Sequence, residues 1–190
     1  MTAVLKTVQR KDAADPIAEH VRAIIENLGE DVTRGGLAAT PARYAKALRY
    51  LAAGYAGDVA TAVGNGVFPA EGESPVLVRD IQFYSLCEHH LLPFHGRMHV
   101  GYLPGRQIIG LSKIPRIVDL FARRFQVQER LTEQVADALA ATLEPKGVVV
   151  VSAAQHLCMA MRGVQEHGSS TTVCATRGLS EPLLAMLRSG

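Results

Sequence analysis

Residues 76–85 read VLVRDIQFYS, and this stretch sets the fold because its apolar side chains recur at every second position. Leu77, Ile81 and Phe83 fall on one side of an extended chain, whereas Asp80 falls on the other. A period of two is typical of a β-strand with one buried face. The chain in front of this stretch follows helical spacing instead, so we predict a change from helices to a sheet here.

Two helices are predicted in front of this strand. The second begins at Thr40–Pro41, where a capping residue is followed by proline at the first helical position. Residues 56–74 are rich in Gly, Ala, Asp and Glu and are interpreted as a linker. The front of the chain, residues 1–60, is therefore predicted to be a helical hairpin region. The first helix has apolar residues at helical spacing, namely Ile17, Val21, Ile24, Ile25 and Leu28.

Strands and helices alternate in the rest of the chain, residues 61–190, which we predict to be a single domain. Short strands are predicted at GRMHVGYLP, QIIGL and TTVCATRG, and a long one at VVVVSAAQHLCMAMRGV. Helices are predicted at SKIPRIVDLFARRF, QERLTEQVADALAATL and EPLLAMLRS. The predicted class is α+β, with a largely antiparallel sheet packed on a helix pair.

Composition limits the possible functions. A net charge of +2 and a pI near 8.5 are too mild to indicate nucleic-acid binding. No apolar stretch reaches the roughly 18 residues of a membrane span, and MTAVLKTVQRKDAADP lacks the apolar core of a secretory signal. The three cysteines are an odd number and lie far apart, so no disulfide framework is expected. We expect a cytoplasmic protein whose thiols serve as metal ligands or catalytic groups.

The motif SLCEHHLLPF, residues 85–94, has the spacing of a metal site. Cys87 and His90 are three residues apart, so a tight turn would let both bind one ion. With Cys158 they form a Cys–His–Cys set that suits zinc and leaves a fourth position open, as in catalytic sites. The alternative, a packed cysteine beside two surface histidines, remains open from spacing alone.

A second motif, AAQHLCMAMRG, is read as a strand. On a strand His156, Cys158 and Arg162 share one face, while Met159 and Met161 point to the core.

Two histidines are candidates for acid–base chemistry, because the ordinary pKa of histidine is near 6.5. His156 shares a face with Cys158, and His89 would point away from a metal held by its neighbours. Glu88 either orients a histidine or is a solvated turn residue.

A possible anion site follows the predicted strand that ends at Gly110. Ser112 would cap the next helix, and Lys113 and Arg116 add positive charge in its first turn, where free N–H groups favour anions. Arg162 could join them. Phosphate binding is one interpretation, and an ordinary capped helix with basic residues is the other.

The pair Gln128–Glu129 also has two interpretations. A carboxylate beside an amide can bind a guanine edge, but a capping or surface role is commoner. Arg130, next in the chain, is interpreted as part of a solvated helical face.

These motifs together resemble the GTP cyclohydrolase I family. The resemblance runs from about Val76 to Thr176 through CEHH, GLSK, QVQERLT and H-x-C-M-x-M-R-G, and GEDVTRGGLAATPAR extends it to the front. It implies a zinc enzyme that converts GTP and water to 7,8-dihydroneopterin triphosphate and formate, the first step of pterin and folate biosynthesis. It also implies a tunnelling fold and a homodecamer of two stacked pentamers, with sites at subunit contacts.

The resemblance implies a role for each motif residue. These roles are zinc binding by Cys87, His90 and Cys158; general acid chemistry by His89 and further proton transfer by His156; guanine binding by Glu129 helped by Gln128; triphosphate binding by Lys113, Arg116 and Arg162; and a place for Ser112 at the ribose-phosphate end.

Three other functions compete with this one. A paralogue acting on GTP for a deazapurine pathway would use the same first step, so its residues do not distinguish it. A zinc-stabilised binding module would need neither His89 nor His156. A tunnelling-fold nitrile reductase lacks the zinc triad, so CEHH and H-x-C disfavour it.

Overall fold

The computed structural model describes residues 15–189, so the opening stretch used to predict the compartment lies largely outside the described part. Its helices and strands follow in chain order, with one short 3-10 helix at Ala53–Ala56. The helices are α1 (Pro16–Asn27), α2 (Thr40–Leu51), α3 (Val59–Val63), α4 (Lys113–Ala122), α5 (Gln128–Leu143), α6 (Leu157–Ala160) and α7 (Glu181–Arg188). The strands are β1 (Val67–Pro69), β2 (Val76–Cys87), β3 (Pro93–Leu103), β4 (Gln107–Ile109), β5 (Phe125–Gln126), β6 (Gly147–His156) and β7 (Thr171–Gly178).

The main sheet has five strands in the order β5-β2-β3-β6-β7, and a separate two-stranded sheet pairs β1 with β4. All pairs in the main sheet are antiparallel except the short β2–β5 pair. Helices α4 and α5 pack against it, and their apolar residues share one buried core with β2, β3 and β6. The predicted α+β class, with an antiparallel sheet on a helix pair, is confirmed.

Strand β2 contains a bulge that interrupts the predicted alternation. The register with β3 shifts between Val78 and Ile81, and Asp80 has a φ of 57°. Its backbone N–H donates to His99 Nδ1 at 3.2 Å, which gives a group displaced from the ladder a partner. The alternation is regular only after the bulge, where Ile81 and Phe83 are buried.

The prediction of a continuous strand through residues 148–164 is wrong at its second half. Strand β6 ends at His156, and the chain turns into the one-turn helix α6. The ladder explains the change, because the last β3 residue paired with β6 is Phe94, opposite His156, and β7 pairs only as far as Ala154. Beyond these positions a strand would have unpaired backbone groups, which a helical turn satisfies internally.

The two predicted front helices are confirmed as α1 and α2. The Asp15 side chain caps α1 by accepting from the Ile17 N–H at 3.0 Å, and Gly29 follows its end with a φ of 85°. The Thr40 hydroxyl was expected to cap α2, but it donates back to the Gly36 carbonyl. The chain divides into two compact units, with the boundary in sequence between Tyr50 and Leu51. The domain division after residue 60 stays a prediction.

The stretch 56–74 is not the plain linker that its composition indicated. It contains helix α3, capped by the Asp58 side chain, and strand β1, which pairs with β4. The Asp58 side chain accepts from the Thr61 N–H at 2.6 Å, a helix-capping hydrogen bond that the composition of the segment did not indicate. Among the described residues, none of the helices is long and apolar enough to cross a membrane.

Candidate metal centre and its surroundings

Three predicted ligands come together in the structure. One ligand atom each from Cys87, His90 and Cys158 lies within 4.8 Å of the other two. A tetrahedral zinc ion with bonds of about 2.0–2.3 Å spaces its ligand atoms roughly 3.3–3.8 Å apart, so a small inward movement would close the site. Two thiols and one imidazole form a soft to borderline donor set that fits zinc.

A tight turn between β2 and β3 places the first two ligands. Cys87 ends β2, and its carbonyl accepts from the N–H of His90 at 3.3 Å and of Leu91 at 2.8 Å. Leu91 takes a φ of 54°, and the Cys87 N–H donates to the Leu92 carbonyl at 2.8 Å. The turn therefore holds the Cys87 thiol and the His90 ring on neighbouring positions, as the three-residue spacing predicted.

The third ligand comes from helix α6 rather than from a strand. The prediction that His156, Cys158 and Arg162 share a strand face is therefore wrong, although Cys158 still reaches the turn. Met159 and Met161 were expected in the core, but their side chains are 37% and 61% exposed. Because residues 157–160 form a helical turn instead of a strand, these two side chains do not share the core-facing side that strand alternation predicted.

The environment of the two thiols favours the neutral form of Cys158. Burial raises the pKa of the Cys158 thiol, and the hydrogen bond to Cys87 and the charge of Cys87 raise it further. The Arg162 guanidinium partly offsets these effects. Arg162 Nη1 also donates to His90 Nε2 at 2.7 Å, so this predicted phosphate ligand borders the metal centre.

His156 is held by a buried polar cluster. Its Nε2 lies 2.9 Å from Gln128 Oε1, and its ring stacks on Phe94 with centroids 4.9 Å apart. Burial lowers the pKa of His156, and the charge of Glu129 acts in the opposite direction. The predicted proton-transfer group is thus rigidly placed two residues before Cys158.

The Gln128 side chain is 1% exposed and its amide is hydrogen-bonded within the protein, while its predicted help to Glu129 in binding guanine stays a prediction. Its Nε2 donates to the Ser152 carbonyl at 3.2 Å, the Ser152 hydroxyl at 3.0 Å and the Thr171 carbonyl at 2.9 Å. No amide hydrogen is left for a base edge. Glu129, by contrast, is exposed in the first turn of α5.

His89 lies next to the metal centre on its open side. Its side chain is 65% exposed, and its Nδ1 lies 3.9 Å from Cys87 Sγ, so it does not point away from the centre as expected. Its Nε2 lies 3.9 Å from a Glu88 carboxylate oxygen. His89 is therefore accessible for proton exchange beside the proposed ligands.

Glu88 forms a bidentate ion pair with Arg130, at 2.5 and 3.0 Å. The Arg130 hydrogen bond holds the pKa of Glu88 below its usual range. Arg130 is thus not merely part of a solvated helical face, because it ties the metal-binding turn to helix α5. The sequence does not indicate this pair, because Glu88 and Arg130 are 42 residues apart.

The predicted phosphate group lies at the start of helix α4. Ser112 occupies the N-cap position without a capping hydrogen bond from its side chain, and α4 begins at Lys113. Arg116 lines a cavity of about 430 Å³ together with Asp119 and Gly57. Within residues 15–189 no hydrogen bond or ion pair joins these residues to the Cys–His–Cys group.

Sequence reasoning missed the residues that support His156. Thr132 and Ser152 are fully buried, and their hydroxyl oxygens lie 2.8 Å apart. Thr132 also donates to the Gln128 carbonyl at 2.7 Å. The usable signal was helical spacing, because Gln128, Leu131, Thr132 and Val135 fall on one stripe of α5 and all are buried.

Comparison with known proteins gives a consistent result. The model of the GTP cyclohydrolase I family matches residues 17–183. The GTP cyclohydrolase 1 of Deinococcus radiodurans is 55% identical over 175 residues, which cover 92% of this chain and 81% of that protein. The GTP cyclohydrolase 1 of Leptospira biflexa is 54% identical over 159 residues, covering 84% of this chain and 87% of that protein. A solved archaeosine synthase QueF-Like in the apo form has a TM-score of 0.48 at 18% identity, covering 57% of this chain and 98% of that chain.

Proposed function

Because this chain belongs to the GTP cyclohydrolase I family, we propose that it converts GTP and water to 7,8-dihydroneopterin triphosphate and formate. The reaction opens the purine at C8 and then rearranges the product, as the first step of pterin and folate biosynthesis. Within the molecule, the observation that carries this proposal is the approach of Cys87, His90 and Cys158 to within 4.8 Å beside two further histidines. A purely structural metal site has no use for those histidines.

The metal in this proposal is zinc, held by Cys87, His90 and Cys158. Two sulfur ligands and one nitrogen ligand match zinc better than magnesium or calcium, which prefer oxygen. A zinc ion bound there supplies water activated for hydrolysis near neutral pH. The Arg162 guanidinium, which contacts His90, adds positive charge that favours the thiolate form of Cys158.

Two histidines carry the proton transfers. The exposed His89 donates a proton to N7 of the purine, which makes C8 more open to attack by water. His156 exchanges protons with the substrate during the rearrangement of the sugar. That rearrangement moves protons between carbon and oxygen and needs no redox cofactor.

Substrate binding is assigned to charged groups at both ends of GTP. The Glu129 carboxylate accepts hydrogen bonds from the N1–H and the 2-amino group of guanine. Lys113, Arg116 and Arg162 bind the triphosphate, whose roughly four negative charges need several cations. Ser112 lies at the ribose-phosphate end.

We further propose that the protein is a homodecamer of two pentamers that completes its sites at subunit contacts. In the described residues, β7 pairs on one side only, and β2 has no partner on its outer side from Val76 to Ser85. Such open edges are suited to pairing with a second copy. The exposed apolar side chains of Met161 and Val164, which follow Cys158 in the chain, are further candidates for burial against a second copy. A decamer of 20.4 kDa chains would have a mass of about 204 kDa.

We also propose that the protein is cytoplasmic. Its three cysteines are free thiols in the structure, which suits a reducing compartment and thiolate ligands.

Incubation of the purified, zinc-loaded protein with GTP tests the activity. We expect release of formate and of a product that becomes fluorescent neopterin after oxidation and dephosphorylation. Absence of both products from protein that contains stoichiometric zinc would refute the proposal.

A pair of cysteine variants tests the metal assignment. We expect Cys158→Ser to lose both zinc and turnover, whereas Cys174→Ser, the same change at an exposed thiol outside the ligand group, keeps both. Stoichiometric zinc in Cys158→Ser would contradict the ligand assignment.

A further inference from the structure

We propose that Gln128 is a positioning residue that fixes His156 in the Nε2–H tautomer, so that Nδ1 carries the lone pair that accepts a proton from the substrate. This inference rests on the proposed function for the identity of the substrate. It gives Gln128 a part in the reaction other than binding guanine.

The orientation of the Gln128 amide follows from its partners. Its Nε2 lies 3.2 Å from the Ser152 carbonyl and 2.9 Å from the Thr171 carbonyl. Carbonyl oxygens only accept hydrogen bonds, so the NH₂ end must face them. A flipped amide would place three oxygen atoms together in a buried site, at a cost of unsatisfied polar groups.

The fixed amide in turn determines which ring nitrogen of His156 carries the hydrogen. With the NH₂ end turned to the carbonyls, Gln128 Oε1 is the atom that faces His156 Nε2 at 2.9 Å. An amide oxygen can only accept, so Nε2 must carry the hydrogen. A neutral imidazole has one N–H, which leaves Nδ1 as the acceptor. Within the described residues no hydrogen bond occupies that nitrogen.

The ring is also fixed in its plane. His156 and Phe94 are paired residues of β6 and β3, and their rings stack with planes only 3° apart. The stack fixes the plane of the imidazole, because tilting the ring out of this plane would lose the aromatic contact, and the hydrogen bond to Gln128 selects which way round the ring lies in it. The strand register, the stack and the amide thus together define one orientation of Nδ1.

The chemical consequence is a one-step proton transfer with a fixed direction. A substrate O–H or C–H proton moves to Nδ1, and the electron pair stays on the substrate. The resulting imidazolium keeps its Nε2–H bond to Gln128. Since the amide is neutral, it supports the neutral ring before transfer better than a carboxylate would, because a carboxylate partner raises the pKa of an imidazole and favours the imidazolium.

Nitrogen-15 NMR of the zinc-loaded protein tests the tautomer directly. Solid-state spectra of protein labelled only in histidine, recorded near about pH 8.5 where an ordinary imidazole is neutral, distinguish protonated from unprotonated ring nitrogens. The His156 signals are identified by their loss in His156→Asn. We expect a protonated Nε2 and an unprotonated Nδ1. The reverse pattern would overturn the proposal, and no variant of Gln128 is needed for this result.

Gln128→Met tests the consequence, with Gln126→Met as the matched control. Both glutamines are 1% exposed and hydrogen-bonded, but the Gln126 side chain donates to the Phe121 carbonyl and to Gln134, not to His156. We expect Gln128→Met to lose the single tautomer and to lower kcat about 100-fold or more, with KM for GTP within about threefold. Gln126→Met should keep kcat within about threefold.

Three results would count against the assignment. An unchanged tautomer and kcat in Gln128→Met would overturn it. A raised KM with unchanged kcat would indicate guanine binding instead, and an equal loss of kcat in both variants would indicate general destabilisation. The tautomer measurement needs no substrate, so absence of GTP turnover would refute the proposed function while the spectrum still decides the role of Gln128.

Discussion

Substitution of Gly96 by alanine should destabilise the sheet beside the candidate site. Gly96 lies in β3, two residues after Phe94, and pairs with Ala154 of β6. A Cβ at this position would lie 1.9 Å from the Ala153 carbonyl oxygen and 2.7 Å from the Ala154 Cα. Ordinary contacts begin at 3.4 Å, so the first approach is short by 1.5 Å.

The size of the effect follows from what must move. The clashing atoms belong to the backbone, so relief requires β3 and β6 to separate and weaken ladder hydrogen bonds of about 1 kcal/mol each. With about two such bonds weakened and overpacking adding about 1–3 kcal/mol, the loss in the free energy of unfolding is about 3–5 kcal/mol. For a chain of this size, that corresponds to a decrease in Tm of roughly 6–20 °C.

Thermal unfolding at equal protomer and zinc concentrations measures this loss, and Gly101→Ala on the same strand is the control. A Cβ at Gly101 would meet side-chain methyls of Leu183 and Leu77 at 3.2 Å and the Val76 carbonyl at 3.3 Å. Small side-chain shifts relieve most of that crowding, so we expect about 1 kcal/mol or less. A Tm of Gly96→Ala within 2 °C of the parent corresponds to about 1 kcal/mol or less for a chain of this size and would refute the steric argument. A larger decrease for Gly101→Ala than for Gly96→Ala would refute it as well.

Two other substitutions test the supports of the site. Arg130→Met removes the partner of Glu88 and frees its carboxylate beside the metal-binding turn. We therefore expect kcat to fall about tenfold with zinc content unchanged. Loss of zinc would show that the ion pair holds the metal ligands instead. Thr132→Val deletes a buried hydroxyl paired with Ser152 and should cost about 1–3 kcal/mol in thermal unfolding. Thr142→Val, on the same helix, removes only a bond to the preceding turn and should cost less; equal losses would contradict the importance of the pair.

Periodicity predicted most of the elements because each long segment buries one face. The spacing of Leu131, Val135 and Leu139 defines α5, and all three are buried. The bulge in β2 was not predictable in this way, because Asp80 leaves the ladder through a contact with His99 from another strand. Local alternation carries no information about such a partner.

The largest error of the sequence-based prediction lies after His156. The alternation of QHLCMAMRG is compatible with a strand, but a strand also needs neighbours. Its neighbours end at Phe94 in β3 and at Thr171 in β7, and neither end is visible in the local sequence of β6. Residues 157–160 therefore form a helical turn, which exposes Met159 and Met161.

The expectation that Gln128 helps Glu129 to bind guanine stays a prediction, but the structure gives the two side chains different surroundings. Gln128 was read together with Glu129 as a pair of polar neighbours, whereas neighbouring residues on a helix point about 100° apart. Gln128 lies on the buried stripe of α5, and Glu129 lies on the exposed surface. Helical position was therefore a better guide than residue type.

The approach of Cys87 to Cys158, which are distant in sequence, follows from the strand topology. Strands β2 and β6 are both antiparallel to β3, which lies between them, so they are parallel to each other. Their carboxyl ends therefore lie at the same end of the sheet, and each strand carries a sulfur ligand at or just after its last residue. The basic residues of α4 follow β4, which belongs to the separate two-stranded sheet. The main sheet thus fixes the metal ligands and His156 within one chain. Of the proposed phosphate ligands, Arg162 contacts His90 directly, whereas Lys113 and Arg116 are positioned by helix α4, which packs on the same sheet.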